Sequence, residues 1–346
     1  MSSEKIGVVV IDDSNFMRRL ICDILKKDEQ LEVVGTAADG RQGMDLIMQK
    51  NPQVVITDLI MPDFDGLYVV KEVMEKKPLP IILLSSLEKT NSKVFDALAW
   101  GAFEFIDKPS GAESIGLADY PLAALVREAT LADVSVFRKR HATRANNATH
   151  TFDEKLQYDV VVIGASTGGP GALEHILCNL PANLAIPVLV AQHMPARFLE
   201  SFAERLNERT QLRVKIATKG EPVQPGIVYV APGDANMKIE NSLLNGKPMI
   251  SFTTKSFQEF NNPSVDCLME SVARIYGKKA FGVLLTGMGK DGAQGMKQIF
   301  DSGGYTVAQD EESAVVYGMP GTALQIGAVR NTVRLSDIPG FIISSL

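Results

Sequence analysis

Short apolar runs alternate with segments whose apolar residues recur three and four positions apart. In the first third of the chain the runs fall at 7–11, 32–37, 54–57, 81–85 and 104–106, each of strand length. Helix-period segments separate them at 16–27, 40–49, 68–76 and 91–100, and a fifth helix is predicted to start at Pro121. Five βα repeats of this length predict a parallel, doubly wound (βα)5 sheet. The periodicity decays across 126–155, where the stretch from His141 to Thr151 is mostly polar with no apolar period and reads as an exposed linker. A second α/β block opens with the run at 158–163, which ends in a glycine-rich turn. Further strands are predicted at 187–191, 214–217, 227–230, 281–285 and 306–308, with helices at 171–178, 198–206, 264–275 and 293–300. The pattern divides the chain into an α/β domain over 1–125, a linker over 126–155 and a largely parallel α/β domain over 156–346.

Composition narrows the class without naming a function. A length of 346 residues suits two domains of roughly 150 residues or more, and 45% hydrophobic with 22% charged residues is ordinary for a globular chain. No apolar run approaches the roughly 18–20 residues of a membrane span, and the N-terminus lacks a signal-peptide pattern. Cys22, Cys178 and Cys267 are odd in number and far apart, which offers neither a disulfide framework nor a metal site. A monomer in the reducing cytoplasm, without membrane insertion, is expected. The net charge of −6 argues against nucleic-acid binding. It divides into −7 over 1–125, +2 over 126–155 and −1 over 156–346, so the acidity belongs to the first block.

In that block, polar residues sit just past predicted strand ends: Asp12 and Asp13 after the first strand, Asp58 after the third, Ser85 at the fourth and Lys108 after the fifth. These ends converge on one crevice in an open parallel sheet. Three carboxylates there need a cation, and oxygen ligands suit Mg2+. Asp58 can then act as a nucleophile on phosphorus, with Lys108 balancing charge and the Ser85 hydroxyl bonding a phosphoryl oxygen. Singly, Asp13 reads as well as a helix cap, Asp58 as a turn residue, Ser85 as a strand-end hydroxyl and Lys108 as a surface charge. Five such residues, all at strand ends, favour the joint reading.

The second block carries Gly164-Ala165-Ser166-Thr167-Gly168, a G-x-S-x-G turn directly after an apolar strand. Such a turn exposes a serine hydroxyl at a helix N-terminus, where developing negative charge is favoured. The rival, a dinucleotide-binding loop, has Pro170 where that pattern needs glycine, and no tyrosine is followed four positions later by lysine. Of the four histidines, His141 and His150 lie in the linker and His175 lies within the helix that follows the turn. His193 follows a strand and is the candidate base. Asp291, in the glycine-rich turn after 281–285, is the candidate third member, with Asp234, Asp266 and Asp310 as competitors. It could instead cap the helix at 293–300. The backbone N–H groups of Met288 and Thr167 are oxyanion-hole candidates.

The first block resembles the receiver domain of two-component response regulators through Asp12-Asp13, the stretch Asp58-Leu59-Ile60-Met61-Pro62-Asp63-Phe64-Asp65-Gly66, Ser85 and Lys108-Pro109. That resemblance implies phosphorylation of Asp58 by a histidine kinase and Mg2+ held by Asp13, Asp58 and the Ile60 carbonyl. It also implies a signalling side chain at Phe105. The whole chain outside the linker resembles the chemotaxis response-regulator methylesterases, the CheB family. The motifs are Ile163-Gly164-Ala165-Ser166-Thr167-Gly168-Gly169-Pro170, Gln192-His193-Met194-Pro195, Ala231-Pro232-Gly233 and the turn from Leu285 to Gly292. This implies a Ser-His-Asp hydrolase that demethylates γ-glutamyl methyl esters and deamidates glutamines on methyl-accepting chemotaxis receptors. It needs no cofactor for the ester reaction and is activated through its receiver. A non-enzymatic regulator with a partner-binding C-terminal block is the alternative class.

Overall fold

A computed structural model describes residues 5–85, 91–108, 122–134, 136, 157–255, 257 and 263–346. Pro109, Pro121, His141 and His150 lie outside these residues, as does most of the expected linker. The chain divides into two compact units, one within Met1–Ala142 and one within Thr143–Leu346.

The first unit alternates β1 (Ile6–Ile11), α1 (Asn15–Leu25), β2 (Leu31–Ala37), α2 (Gly40–Lys50), β3 (Val54–Asp58), α3 (Gly66–Lys76), β4 (Ile81–Ser85), α4 (Asn91–Trp100), β5 (Glu104–Asp107) and α5 (Leu122–Ala129). The five strands are all parallel, in the order β2-β1-β3-β4-β5. β3 and β4 are buried along their whole length, which is why they read as continuous apolar runs. Side chains start the helices: Ser14 accepts from Met17 N, Asp39 from Gln42 N and Asp65 from Tyr68 N. Ser14, and not Asp13, is therefore the cap of α1. α5 continues past the expected boundary at 125, because Val126 and Ala129 are buried on its inner face.

The second unit runs β6 (Val160–Ala165), α6 (Gly169–Cys178), β7 (Val188–Gln192), α7 (Ala196–Arg209), β8 (Arg213–Ile216), β9 (Ile227–Val230), β10 (Asn236–Asn241), β11 (Pro248–Thr253), α8 (Val265–Tyr276), β12 (Ala280–Leu284), α9 (Ala293–Asp301), β13 (Tyr305–Gln309), α10 (Gly318–Gln325), β14 (Asn331–Val333) and α11 (Ile338–Ser345). Seven parallel strands form one sheet in the order β14-β13-β12-β6-β7-β9-β8. Strand order reverses at β6, which places a crevice at the C-terminal ends of β6, β7 and β12. β10 and β11 form a separate antiparallel hairpin. It buries Met237, Ile239 and Ile250 in the same core as Leu268, Met269 and Val272 of α8. Among the described residues, no helix is long and apolar enough to cross a membrane.

Candidate active site

At the strand ends of the first unit, one carboxylate oxygen from each of Asp12, Asp13 and Asp58 lies within 4.8 Å of the others. Lys108 Nζ is 2.7 Å from both Asp12 Oδ2 and Asp58 Oδ2. Its backbone N–H donates to the Ser85 carbonyl at 2.6 Å, which ties the lysine to the end of β4. Asp12, Asp58 and Ser85 are buried, and Asp13 is exposed at the mouth of the cluster. Burial pushes the Asp58 carboxyl up to about 6, although Lys108 opposes the rise. The Ile60 N–H donates to Asp58 Oδ1 at 3.2 Å, which turns that segment back over the carboxylate. Phe105 is buried on β5, one residue before the register pair of Leu84 and Ile106. An all-oxygen set with a buried acid at its centre suits a hard divalent cation. A cleft of about 440 Å3 opens beside it, lined in part by Asp13, Asp39, Arg41 and Phe64.

In the second unit, Ser166 and His193 each follow the last residue of a strand. β6 and β7 are in register at Ala165 and Gln192, so the next residues are neighbours, and His193 N–H donates to Ala165 O at 3.0 Å. Ser166 N–H donates to Thr286 O at 3.0 Å, which joins the serine turn to the turn after β12. There Gly287 permits a close approach: a Cβ at that position would lie 2.7 Å from Ser166 Cβ. Met288 follows directly and is half-buried. Thr167 is buried, and its carbonyl accepts from Thr286 Oγ1 at 3.0 Å.

His193 Nε2 lies 2.7 Å from Asp291 Oδ2. Asp291 is 2% exposed, and both of its oxygens are saturated. Oδ1 accepts from Ser264 Oγ, Asp266 N and Gly292 N, and Oδ2 also accepts from Val265 N. Two of these donors belong to the first turn of α8 and a third, Ser264, is its N-cap, so Asp291 sits at the positive end of that helix. Burial raises its carboxyl, but the bond and charge of His193, with the Asp266 and Val265 N–H groups, outweigh it and hold the pKa below the usual carboxylate value. Asp266 returns the arrangement by accepting from Gly295 N, in the first turn of α9, at 2.7 Å. The acid before α9 thus caps α8, and an acid in α8 caps α9. The alternative in which Asp291 only caps the helix at 293–300 does not hold: the N-cap of α9 is Gly292, and apart from the bond from Gly292 N the partners of Asp291 are His193 and the N-terminus of α8.

The three competitors are engaged elsewhere or face solvent. Asp266 bonds α9, Asp310 accepts from Ser313 N at 3.1 Å, and Asp234 is exposed. His175 lies in the last turn of α6.

Residues 161–342 match the CheB methylesterase family, and residues 8–118 match the response regulator receiver domain. This chain belongs to the CheB methylesterase family. It is 41% identical, over 98% of its length and 96% of the relative's, to a protein-glutamate methylesterase/protein-glutamine glutaminase of Chromohalobacter salexigens. A protein of the same description from Methanococcus maripaludis is 37% identical over 97% of this chain and 96% of its own. Among solved structures, the catalytic domain of Thermotoga maritima CheB methylesterase matches 55% of this chain and all of its own, with 39% identity and a TM-score of 0.53.

The CheB segment of this chain includes residues to which sequence reasoning gave no role. Ser264 and Val265 close the cradle around Asp291, and Gln192 donates its side-chain amide to the carbonyls of Ser166 and His193. Ser264 carried a legible signal as the polar residue heading a helix-period segment. Its target, 27 positions away, did not.

Proposed function

We infer that the chain is a phosphorylation-regulated protein-glutamate methylesterase and protein-glutamine glutaminase acting on chemoreceptors. The observation that carries the reading is the 2.7 Å contact between His193 Nε2 and a saturated, buried Asp291, beside the serine turn of a CheB methylesterase chain. With Nε2–H given to Asp291, Nδ1 of His193 holds the free lone pair and takes the Ser166 proton. Ser166 Oγ attacks the side-chain carbonyl of the substrate, and the backbone N–H groups of Met288 and Thr167 receive the oxyanion. The protonated imidazole then passes its proton to the leaving group. Methanol departs from a methyl ester and ammonia from an amide, leaving the same acyl-enzyme. Water, deprotonated by His193, releases glutamate and restores Ser166. Asp291 stabilises the imidazolium, and the α8 N-terminus keeps Asp291 ionised.

In the first unit the reading makes Asp58 the phosphoacceptor, with a histidine kinase as donor. Asp13, Asp58 and the Ile60 carbonyl would hold Mg2+, with Asp12 completing the acidic set. The ion would supply charge neutralisation for the phosphoryl group. Lys108 and Ser85 would bond that group, and Phe105 would respond to it. We assign the receiver to the first unit through α5, ending at Ala129, the linker to the stretch from there to 155 and the catalytic domain to 156–346, working as a monomer in the cytoplasm. The unphosphorylated receiver holds activity down, and phosphorylation shifts the population towards the active arrangement. Measuring methanol release by the 156–346 fragment tests this: a fragment slower than the unphosphorylated full chain contradicts it.

A further inference from the structure

The amide of Gln192 carries an inference about the same site, and it rests on the roles given above to Ser166 and His193. Gln192 ends β7 and is 1% exposed. Its Nε2 donates to two backbone carbonyls at once, Ser166 O at 3.0 Å and His193 O at 2.9 Å. The amide has one workable orientation, because turning it over would set its oxygen against two carbonyl oxygens. In that orientation Oε1 is buried and has no hydrogen-bond partner among the described residues. An orphaned buried acceptor is destabilising, and an apolar side chain of similar length would avoid it.

The place of the amide gives it a use that offsets this cost. The strand ladder pairs β6 with β7 only as far as Ala165 and Gln192. Ser166 and His193 lie one residue beyond; each N–H still bonds a neighbouring strand end, Thr286 O and Ala165 O, but no ladder bond joins the two residues to each other. The amide ties these two positions together across that gap. Gly169 supports it from behind: its N–H donates to Ser166 O at 2.7 Å, and a Cβ there would overlap Gln192 Oε1. We propose that Gln192 is a positioning residue whose amide clamps the Ser166 and His193 carbonyls and so sets the spacing between hydroxyl and imidazole. It touches neither substrate nor the reacting atoms.

The test uses the full chain with Gln192→Met, which keeps length and removes both donors together with the orphaned acceptor. Three quantities are read: kcat and KM for methanol release, the melting temperature, and the rate at which a fluorophosphonate labels Ser166. The proposal predicts that kcat and labelling fall on the order of 100-fold, as for a small misplacement of reacting groups, with KM and melting temperature unchanged. A lowered melting temperature with wild-type kcat per folded molecule would make Gln192 a packing residue and overturn the proposal, and so would wild-type kinetics throughout. Gly169→Ala displaces the same amide from the other side and provides a second route should the methionine variant not fold; undiminished turnover there also overturns it. Wild-type protein that neither releases methanol nor takes the label would overturn the esterase reading, and this proposal with it.

Discussion

Replacing Asp291 by asparagine perturbs a carboxylate whose two oxygens are both committed. Oδ1 accepts from Ser264 Oγ at 3.1 Å, Asp266 N at 2.9 Å and Gly292 N at 3.0 Å, while Oδ2 accepts from Val265 N and His193 Nε2, both at 2.7 Å. Asparagine supplies one oxygen. With its NH2 on the Oδ1 side two backbone N–H groups would be stranded, so the NH2 turns towards Val265 and His193. That strands the Val265 N–H, costing about 1–3 kcal/mol. Loss of negative charge at the α8 N-terminus adds about 0.3–2 kcal/mol. A total of about 1–5 kcal/mol lowers the melting temperature of a unit of this size by roughly 3–20 °C. The asparagine NH2 also meets Nε2 as a donor, so His193 carries its proton on Nδ1, where it needs a lone pair. The wrong tautomer lowers kcat by on the order of 10,000-fold. Thermal unfolding by circular dichroism and methanol release at the same pH read the two effects separately. Turnover within tenfold of wild type in folded protein refutes the role of Asp291 in orienting His193, and an unchanged melting temperature refutes its role as the α8 cap.

Burial raises the Asp58 carboxyl to about 6 in the folded chain, well above its unfolded value, so the folded state binds more protons between pH 4 and 6. The stability this contributes is full below pH 4 and is lost as pH rises through 6, by about 3 kcal/mol. Mg2+, binding the carboxylate, should therefore raise the melting temperature of the first unit more at pH 7.5 than at pH 5, and equal shifts contradict the account. Asp58→Asn should abolish the rise in esterase activity on adding acetyl phosphate while leaving the unstimulated rate, as parallel rate measurements will show. Gly287→Ala puts a Cβ 2.7 Å from Ser166 Cβ and into Met319 Sδ. Turnover should drop at least tenfold, and a wild-type rate would mean that this turn does not govern the serine.

The parallel strands were legible because burial on both faces makes their runs mostly apolar, as in Val54-Val55-Ile56 of β3 and in Val160–Ala165. The hairpin of β10 and β11 was overlooked despite alternation at Met237, Lys238, Ile239 and Glu240 and the Asn245-Gly246 turn, with φ +68 at the glycine. Polar Lys238 and Glu240 break the apolar run that marks the other strands. α10 contains Gly318, Pro320 and Gly321, residues that local propensity assigns to turns; burial of Met319 and Ala323 overrides it. β14 has three residues and exists through pairing with β13. In the site, chain position after a strand located Ser166, His193 and Asp291, because a parallel sheet gathers its strand ends. What the sequence withheld was the cross-capping of α8 and α9, which joins Asp266 and Asp291 across 25 positions, and the reach of Gln192 across 26.

Methanol release from a methylated chemoreceptor, measured with and without acetyl phosphate and Mg2+, tests the central claim most directly. The account predicts release by the wild-type chain, an increase with the phosphodonor, and no release by Ser166→Ala at an unchanged melting temperature. Release undiminished in Ser166→Ala, or none from the phosphorylated wild-type chain, would contradict it.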